Sequence, residues 1–238
     1  MGTLLDKLEQ DMFSLQDEEY IDFCEKIIPT MPRSRIIGIR IPLLRGLAKR
    51  YLKEETDIVE LFIETLPHKY YEEETLHMFF LEASKDAKEV LKRLDEFLPT
   101  VTNWASADAR SPKVLKRYPV FTLGYIEKWL KAKEVYTVRY AIKLLMDNFL
   151  GTEYQERYLA EVAAVEHRDY YVQMIVAWYF AEAFLTHRED VLIYFIDMKL
   201  PAKTHNEAIQ KAIDSYRVSE KDKEYLKSMR RPGGRLRR

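Results

Sequence analysis

The sequence predicts an all-α protein, and three observations lead there. Glycine and proline are scarce, 7 and 9 residues in a chain of 238. That scarcity disfavours a fold with many tight turns and suits long helices broken in few places. Apolar residues recur at helical spacing from end to end, with no alternating run long enough to demand a strand. Similar helical segments also return at a period of about 34 residues, which is the mark of stacked helical hairpins.

Taken in chain order, Leu4, Leu5, Leu8, Met12 and Leu15 make the first apolar stripe. Leu43, Leu44, Leu47 and Tyr51 make the second, and Pro42 sits near its first turn, where a missing N–H costs nothing. Val59, Phe62, Ile63 and Leu66 form a third stripe behind Asp57, a candidate cap, and Asp86 is the candidate cap of a helix over 87–98. Pro119 opens a helix over 119–131, and another covers 152–163.

The repeat emerges on superposing segments. Tyr71-Glu-Glu-Glu-Thr-Leu-His-Met-Phe-Phe resembles Tyr136-Thr-Val-Arg-Tyr-Ala-Ile-Lys-Leu-Leu and Tyr171-Val-Gln-Met-Ile-Val-Ala-Trp-Tyr-Phe. Helices starting near Trp104 and His205 fall in the same register, with another helix between each pair. The Trp–Leu–Gly–Tyr pattern of tetratricopeptide units is absent, so the reading is a superhelical solenoid of HEAT-like helical hairpins with a concave inner surface. It covers 1–229 as a single domain and leaves 230–238 as a basic tail. Helices in equivalent positions face one side of such a curve. Trp104, Asp108, Arg139, Gln173 and Trp178 are therefore expected to converge there.

Apolar residues make up 47% and charged residues 32%, the balance of a folded, well-solvated chain. The net charge of -1 conceals segregation. Lys26, Arg33, Arg35, Arg40, Arg45, Lys49, Arg50 and Lys53 follow one another with no acid between, whereas Glu54 to Glu96 is mainly acidic. Sorted this way, charge can present a basic face that attracts phosphates. No apolar run reaches the roughly 18 residues of a membrane span, and no signal-like stretch opens the chain. Cys24 is the one cysteine and can form no internal disulfide, which suits a reducing compartment, so a cytoplasmic protein is expected with Cys24 as a small buried hydrophobe.

Chemistry narrows by elimination. His68, His77, His167, His187 and His205 are scattered, with no His-x-x-x-His pair and no cysteine partner, so no metal is expected. Neither a phosphate-binding glycine loop nor a Gly-x-Ser-x-Gly turn is present, and no cofactor is implied. What remains is Asn103-Trp104-Ala-Ser-Ala-Asp108, where residues four apart share a helix face. Alone, such a pair is ordinarily a core tryptophan and a surface carboxylate, and Trp178 in an apolar run reads the same way. Their coincidence at equivalent repeat positions is what singles them out.

Asn103-Trp104-Ala-Ser-Ala-Asp108, Val138-Arg139-Tyr-Ala-Ile, Val172-Gln173 with Ala177-Trp178, Asn206-Glu207-Ala-Ile and Gly38-Ile39-Arg40-Ile41-Pro42-Leu43-Leu44-Arg45 stand in one order along the chain. In that order and approximate spacing the sequence resembles the AlkD-like DNA alkylation repair proteins, over roughly residues 10 to 229. The resemblance implies a HEAT-like solenoid that binds double-stranded, alkylated DNA and needs no metal, cofactor or obligate protein partner. It implies a glycosylase that removes cationic N3- and N7-alkylated purines without flipping the lesion into a pocket. Asp108 would be the catalytic carboxylate, Trp104 and Trp178 would bracket the sugar, Arg139 would hold a phosphate near the lesion, and Arg40, Arg45, Lys49 and Gln173 would contact the DNA. The family also holds members that bind damaged or branched DNA without excising bases, and a protein-binding solenoid is the reading from another class. The segment Ile28-Pro29-Thr30-Met31-Pro32 lacks the further aromatic that active members carry.

Overall fold

The computed structural model describes residues 4–234 and 236, and among them every regular element is a helix. The chain forms two compact units, Met1–Thr122 and Leu123–Arg238.

The first unit contains α1 (Leu4–Phe13), α2 (Glu18–Ile27), α3 (Ile41–Glu54), α4 (Thr56–Glu64), α5 (Tyr71–Ala83), α6 (Ala87–Phe97) and α7 (Trp104–Ala107). Helix α8 (Pro119–Trp129) opens at its end and runs on past Thr122. Within the unit, α3 packs on α4 and α5, α4 on α1, and α5 on α7. Leu8 and Met12 of the first stripe are buried, as are Leu44, Leu47 and Tyr51 of the second and Val59, Phe62 and Ile63 of the third. Leu4 and Leu43 belong to the sequence stripes yet stay exposed. Asp86 caps α6 as expected, accepting from the Lys88 and Glu89 amides, but Asp57 lies inside the first turn of α4, two residues past the N-cap position held by Glu55. The helix starting at Trp104 is a single turn. It ends at Asp108 (φ −89, ψ 5), and Pro112 bars any helix from running on past Ser111.

The second unit contains α9 (Val135–Phe149), α10 (Arg157–Ala163), α11 (Tyr170–Phe184), α12 (Arg188–Ile196), α13 (Ala202–Asp214) and α14 (Glu220–Ser228). Here the repeat is plain: α11 packs on both α9 and α13, while α10 and α12 lie against α11 and α14 against α13. With neighbours on several sides, α11 is apolar almost all round and buries Val172, Ile175, Val176, Ala177, Tyr179, Phe180 and Phe184. The helix expected over 152–163 is shorter, starting at Arg157 after a stretch of turns. The basic tail is docked as far as Gly234: the Asn206 amide donates to the carbonyls of Arg231 (2.7 Å) and Gly234 (2.8 Å) and accepts from the Arg231 N–H (2.9 Å). Arg235, Arg237 and Arg238 of that tail lie outside the described residues.

Candidate functional site

In the first unit the motif at 103–108 is built from below by two buried acids of α5. Asn103 caps α7, its side-chain oxygen accepting from the Ser106 N–H at 2.9 Å, while its amide donates to Ser106 Oγ (2.9 Å) and to Glu74 (2.8 Å). Glu74 is 1% exposed and also accepts from the Thr102 hydroxyl at 2.6 Å, with Arg35 at 3.8 Å. Burial raises its carboxyl above the ordinary range, and the hydrogen bonds from Thr102 and Ser106 act against that rise. Ala105 packs against a cluster of Ile21, Cys24, Ile28, Met31, Ile36 and Tyr71. The turn is thereby pinned on its inner side.

Its outer side carries the two candidate residues. Trp104 is half-buried and donates its indole N–H to the Ile27 carbonyl at 3.0 Å, which fixes the ring. Asp108 is also half-buried and ends the turn, its N–H on the Trp104 carbonyl at 2.9 Å. The two residues open and close a single helical turn rather than lying along a longer helix. The apolar cluster beneath includes Cys24, buried as expected; desolvation pushes its thiol up to about 11, far from nucleophilic use.

The second acid, Glu72, is fully buried and receives three consecutive backbone N–H groups, Ile37 (2.9 Å), Gly38 (2.7 Å) and Ile39 (3.3 Å). Desolvation pushes its carboxyl up while these amides act against the rise. Gly38 has φ +87, and a Cβ there would meet the Asp17 carbonyl at 2.5 Å, so only glycine fits. The segment Gly38–Arg45 is thus a seat that aims the start of α3. Sequence reading missed both acids, because Glu72-Glu73-Glu74 at a helix start looks like a solvated acidic turn. The available signal was the strongly apolar run that follows, which leaves α5 no solvent-facing side.

The acid-free basic run is largely neutralised by acids from elsewhere. Arg40 meets Asp17 at 2.6 Å, Arg45 meets Glu82 at 2.9 Å, Arg50 meets Asp11 at 2.6 Å, and Arg33 reaches Asp22 at 2.5 Å. Arg45 also lies over the Phe79 ring, 4.0 Å from its centroid. Lys49 is exposed and has no ion pair among the described residues. The basic face expected from this run is therefore weaker than its composition implies.

In the second unit, Arg139 is buried rather than solvated, and it donates to the Tyr171 carbonyl at 2.7 Å, tying α9 to the first turn of α11. Gln173 donates to the carbonyls of His167 (3.3 Å) and Arg168 (3.2 Å) and so holds the loop before α11. Trp178 is half-buried, not enclosed by the core. Its indole N–H reaches Glu182 at 3.3 Å, Glu182 is gripped by Arg217 at 2.8 Å, and Lys143, paired with Asp147 at 2.5 Å, lies 5.9 Å from the ring centroid. These groups line a shallow cavity of about 300 Å³.

No group of three or more His, Cys, Asp or Glu residues among the described residues is arranged to hold a metal ion. No helix among them is long and apolar enough to cross a membrane. The family model described as DNA alkylation repair enzyme matches residues 8–215. Comparison with curated proteins gave no match.

Proposed function

Because this chain belongs to the DNA alkylation repair enzyme family, which makes DNA its partner, we propose that it is a glycosylase that hydrolyses the N-glycosidic bond of cationic N3- or N7-alkylated purines in duplex DNA, without base flipping. The observation that carries this reading is the pinned turn at 103–108: an indole residue and a carboxylate residue, both half-buried, on one helical turn that stands on a base of buried hydrogen bonds.

Alkylation at N3 or N7 makes the purine a cationic leaving group, so no general acid is needed to release it. Breaking the bond develops positive charge on the deoxyribose, as in other glycosyl transfers. Asp108 opposes that charge and orients the attacking water. Trp104, on the same turn, offers a π face to the cationic sugar, worth about 0.5–2 kcal/mol. Lys49 tracks the phosphate backbone, and Arg40 and Arg45 join it by exchanging partly exposed carboxylate partners for phosphates. Such ion pairs contribute only about 0–1 kcal/mol, so the exchange costs little. Arg139 and Gln173 act at the DNA through the α9–α11 face whose first turns they tie down.

Asp108→Asn tests the reading. It keeps the size of the side chain and removes the charge, which a placed group of this kind contributes at about 3–4 kcal/mol, or roughly 10²–10³ in rate. Single-turnover release of 7-methylguanine or 3-methyladenine should fall by that order with little change in DNA affinity. Equal rates in the two proteins remove Asp108 from catalysis. Tight binding by the wild type with no release above background leaves a DNA-binding module on the same scaffold.

A further inference from the structure

The first unit carries a group of cations that the residues above do not use. No acid stands between Asp108 and Glu127, and Lys113, Lys116 and Arg117 fall in that interval. Lys113–Arg117 is a 3-10 turn anchored by buried Val114 and Leu115, and the Thr122 hydroxyl donates back to the Leu115 carbonyl at 2.9 Å. With three residues to a turn, Lys113 and Lys116 share its outer side. On α6, Lys88 and Lys92 stand one turn apart and are both exposed. Lys88, Lys92, Lys113, Lys116 and Arg117 have no ion pair among the described residues. Two acids beside Lys88 are already engaged: Asp86 caps the helix, and Glu89 meets Arg93 at 2.7 Å. The contrast is with Arg33, Arg40, Arg45 and Arg50 of the earlier basic run, all of which meet carboxylates.

A second, independent observation is that aromatic and apolar side chains stand out among these cations. Tyr118 is 47% exposed, Val120 81% and Phe121 49%. Tyr118 and Phe121 are three apart at the start of α8 and so share a face. Lys88 Nζ lies 5.1 Å from the centroid of the Phe121 ring, which joins the α6 lysines to the rings of α8. The backbone beneath is fixed: the Tyr118 N–H donates to the Leu115 carbonyl at 3.2 Å, and the Tyr118 carbonyl accepts from the Thr122 N–H at 3.1 Å. Apolar groups held outward together, on an anchored turn, mark an interaction surface. Its charge selects an anionic partner, and its rings select flat groups that can stack on them. Bases in a duplex keep their faces covered by one another. A single strand offers both a chain of phosphates and open base faces.

We propose that this face binds a single-stranded nucleic acid, with phosphates on the lysines and Arg117 and bases stacked on Phe121 and Tyr118. The surface is additional to the duplex contacts proposed above and stands independently of any glycosylase chemistry. Fluorescence anisotropy of the full chain with a labelled oligothymidylate tests it. Saturable binding is expected in the wild type. Phe121→Ala truncates an exposed ring, is expected to fold normally by circular dichroism, and should weaken strand binding about tenfold, within the range of one base–aromatic stack. Replacing Lys113 and Lys116 together by alanine should flatten the log–log salt slope by about 1.4, roughly 0.7 for each phosphate of a single strand. Duplex affinity should be unchanged in Phe121→Ala, which separates this face from Arg40, Arg45 and Lys49. Asp108→Asn should bind the strand as the wild type does, so loss of the glycosylase reading leaves this one standing. If the wild type does not bind the strand saturably, or Phe121→Ala binds it as tightly as the wild type, the proposal is overturned. Saturable binding to phosphatidylserine vesicles that the oligothymidylate does not displace would also overturn it, and would assign the face to an anionic lipid surface.

Discussion

Replacing Glu74 by alanine should loosen the turn that carries Trp104 and Asp108, and the magnitude follows from its contacts. The carboxylate accepts from Thr102 Oγ1 at 2.6 Å and Asn103 Nδ2 at 2.8 Å, and Arg35 lies 3.8 Å away. Opposing this, burial penalises the charged form and raises the carboxyl's pKa. Removing the carboxyl leaves the Thr102 hydroxyl and the buried Asn103 amide without that acceptor, at about 1–3 kcal/mol each, and this loss sets the effect. Asn103 retains Ser106 Oγ at 2.9 Å in the variant, which limits the loss. Glu74→Ala should therefore cost about 3–4 kcal/mol, and Glu74→Gln, which keeps one acceptor and the volume, about 1–2 kcal/mol. Urea unfolding with an unchanged m-value measures both. Amide exchange at Ser106 and Asp108 should quicken in parallel, since their turn loses its anchor. Variants within about 0.5 kcal/mol of the wild type would refute the reasoning: desolvation would then cancel the bonds, and Glu74 would not be what holds the turn.

Two further outcomes follow from the charges. DNA affinity should fall with salt in proportion to the phosphates neutralised, and Lys49→Ala should flatten the log–log slope by about 0.9; Arg45→Ala should change it less, because Arg45 already faces Glu82 at 2.9 Å, and equal slopes in all three proteins would remove both residues from the interface. The second outcome concerns the buried pair His68 and His77, whose ring nitrogens are 2.9 Å apart. Burial pushes His68 down to about 4 from 6.5 and His77 down as well, so the unfolded chain takes up protons first as pH falls. Stability that is complete above pH 6.5 should thus be lost between 6.5 and 4, by up to about 3 kcal/mol for His68. The raised carboxyls of Glu72 and Glu74 act the other way in part of that window. The informative quantity is therefore the difference between wild type and His68→Asn in urea midpoints across it. Parallel curves would show that His68 does not titrate on unfolding.

Whatever depends on neighbours along the chain is legible in the residues alone. Helical class and the hairpin register were legible because burial of one helix face imposes a period near 3.6, and repeats impose one near 34. Starts expected near Trp104, Tyr136 and Tyr171 fall within one residue of those observed. The motif at 103–108 was legible for the same reason, since a capping asparagine, an indole and a carboxylate one turn apart are local signals. Which charges meet is set by the packing of distant helices. Lys26 to Lys53 holds no acid, yet Arg40, Arg45 and Arg50 find Asp17, Glu82 and Asp11 from other helices. Glu72 and Glu74, which no motif along the chain singles out, are the buried anchors of Gly38 and Asn103. Arg139, read as a phosphate ligand, is buried on the Tyr171 carbonyl. Coulombic and hydrogen-bond partners are chosen by distance in space, and residue spacing encodes that distance only within a turn or two of helix.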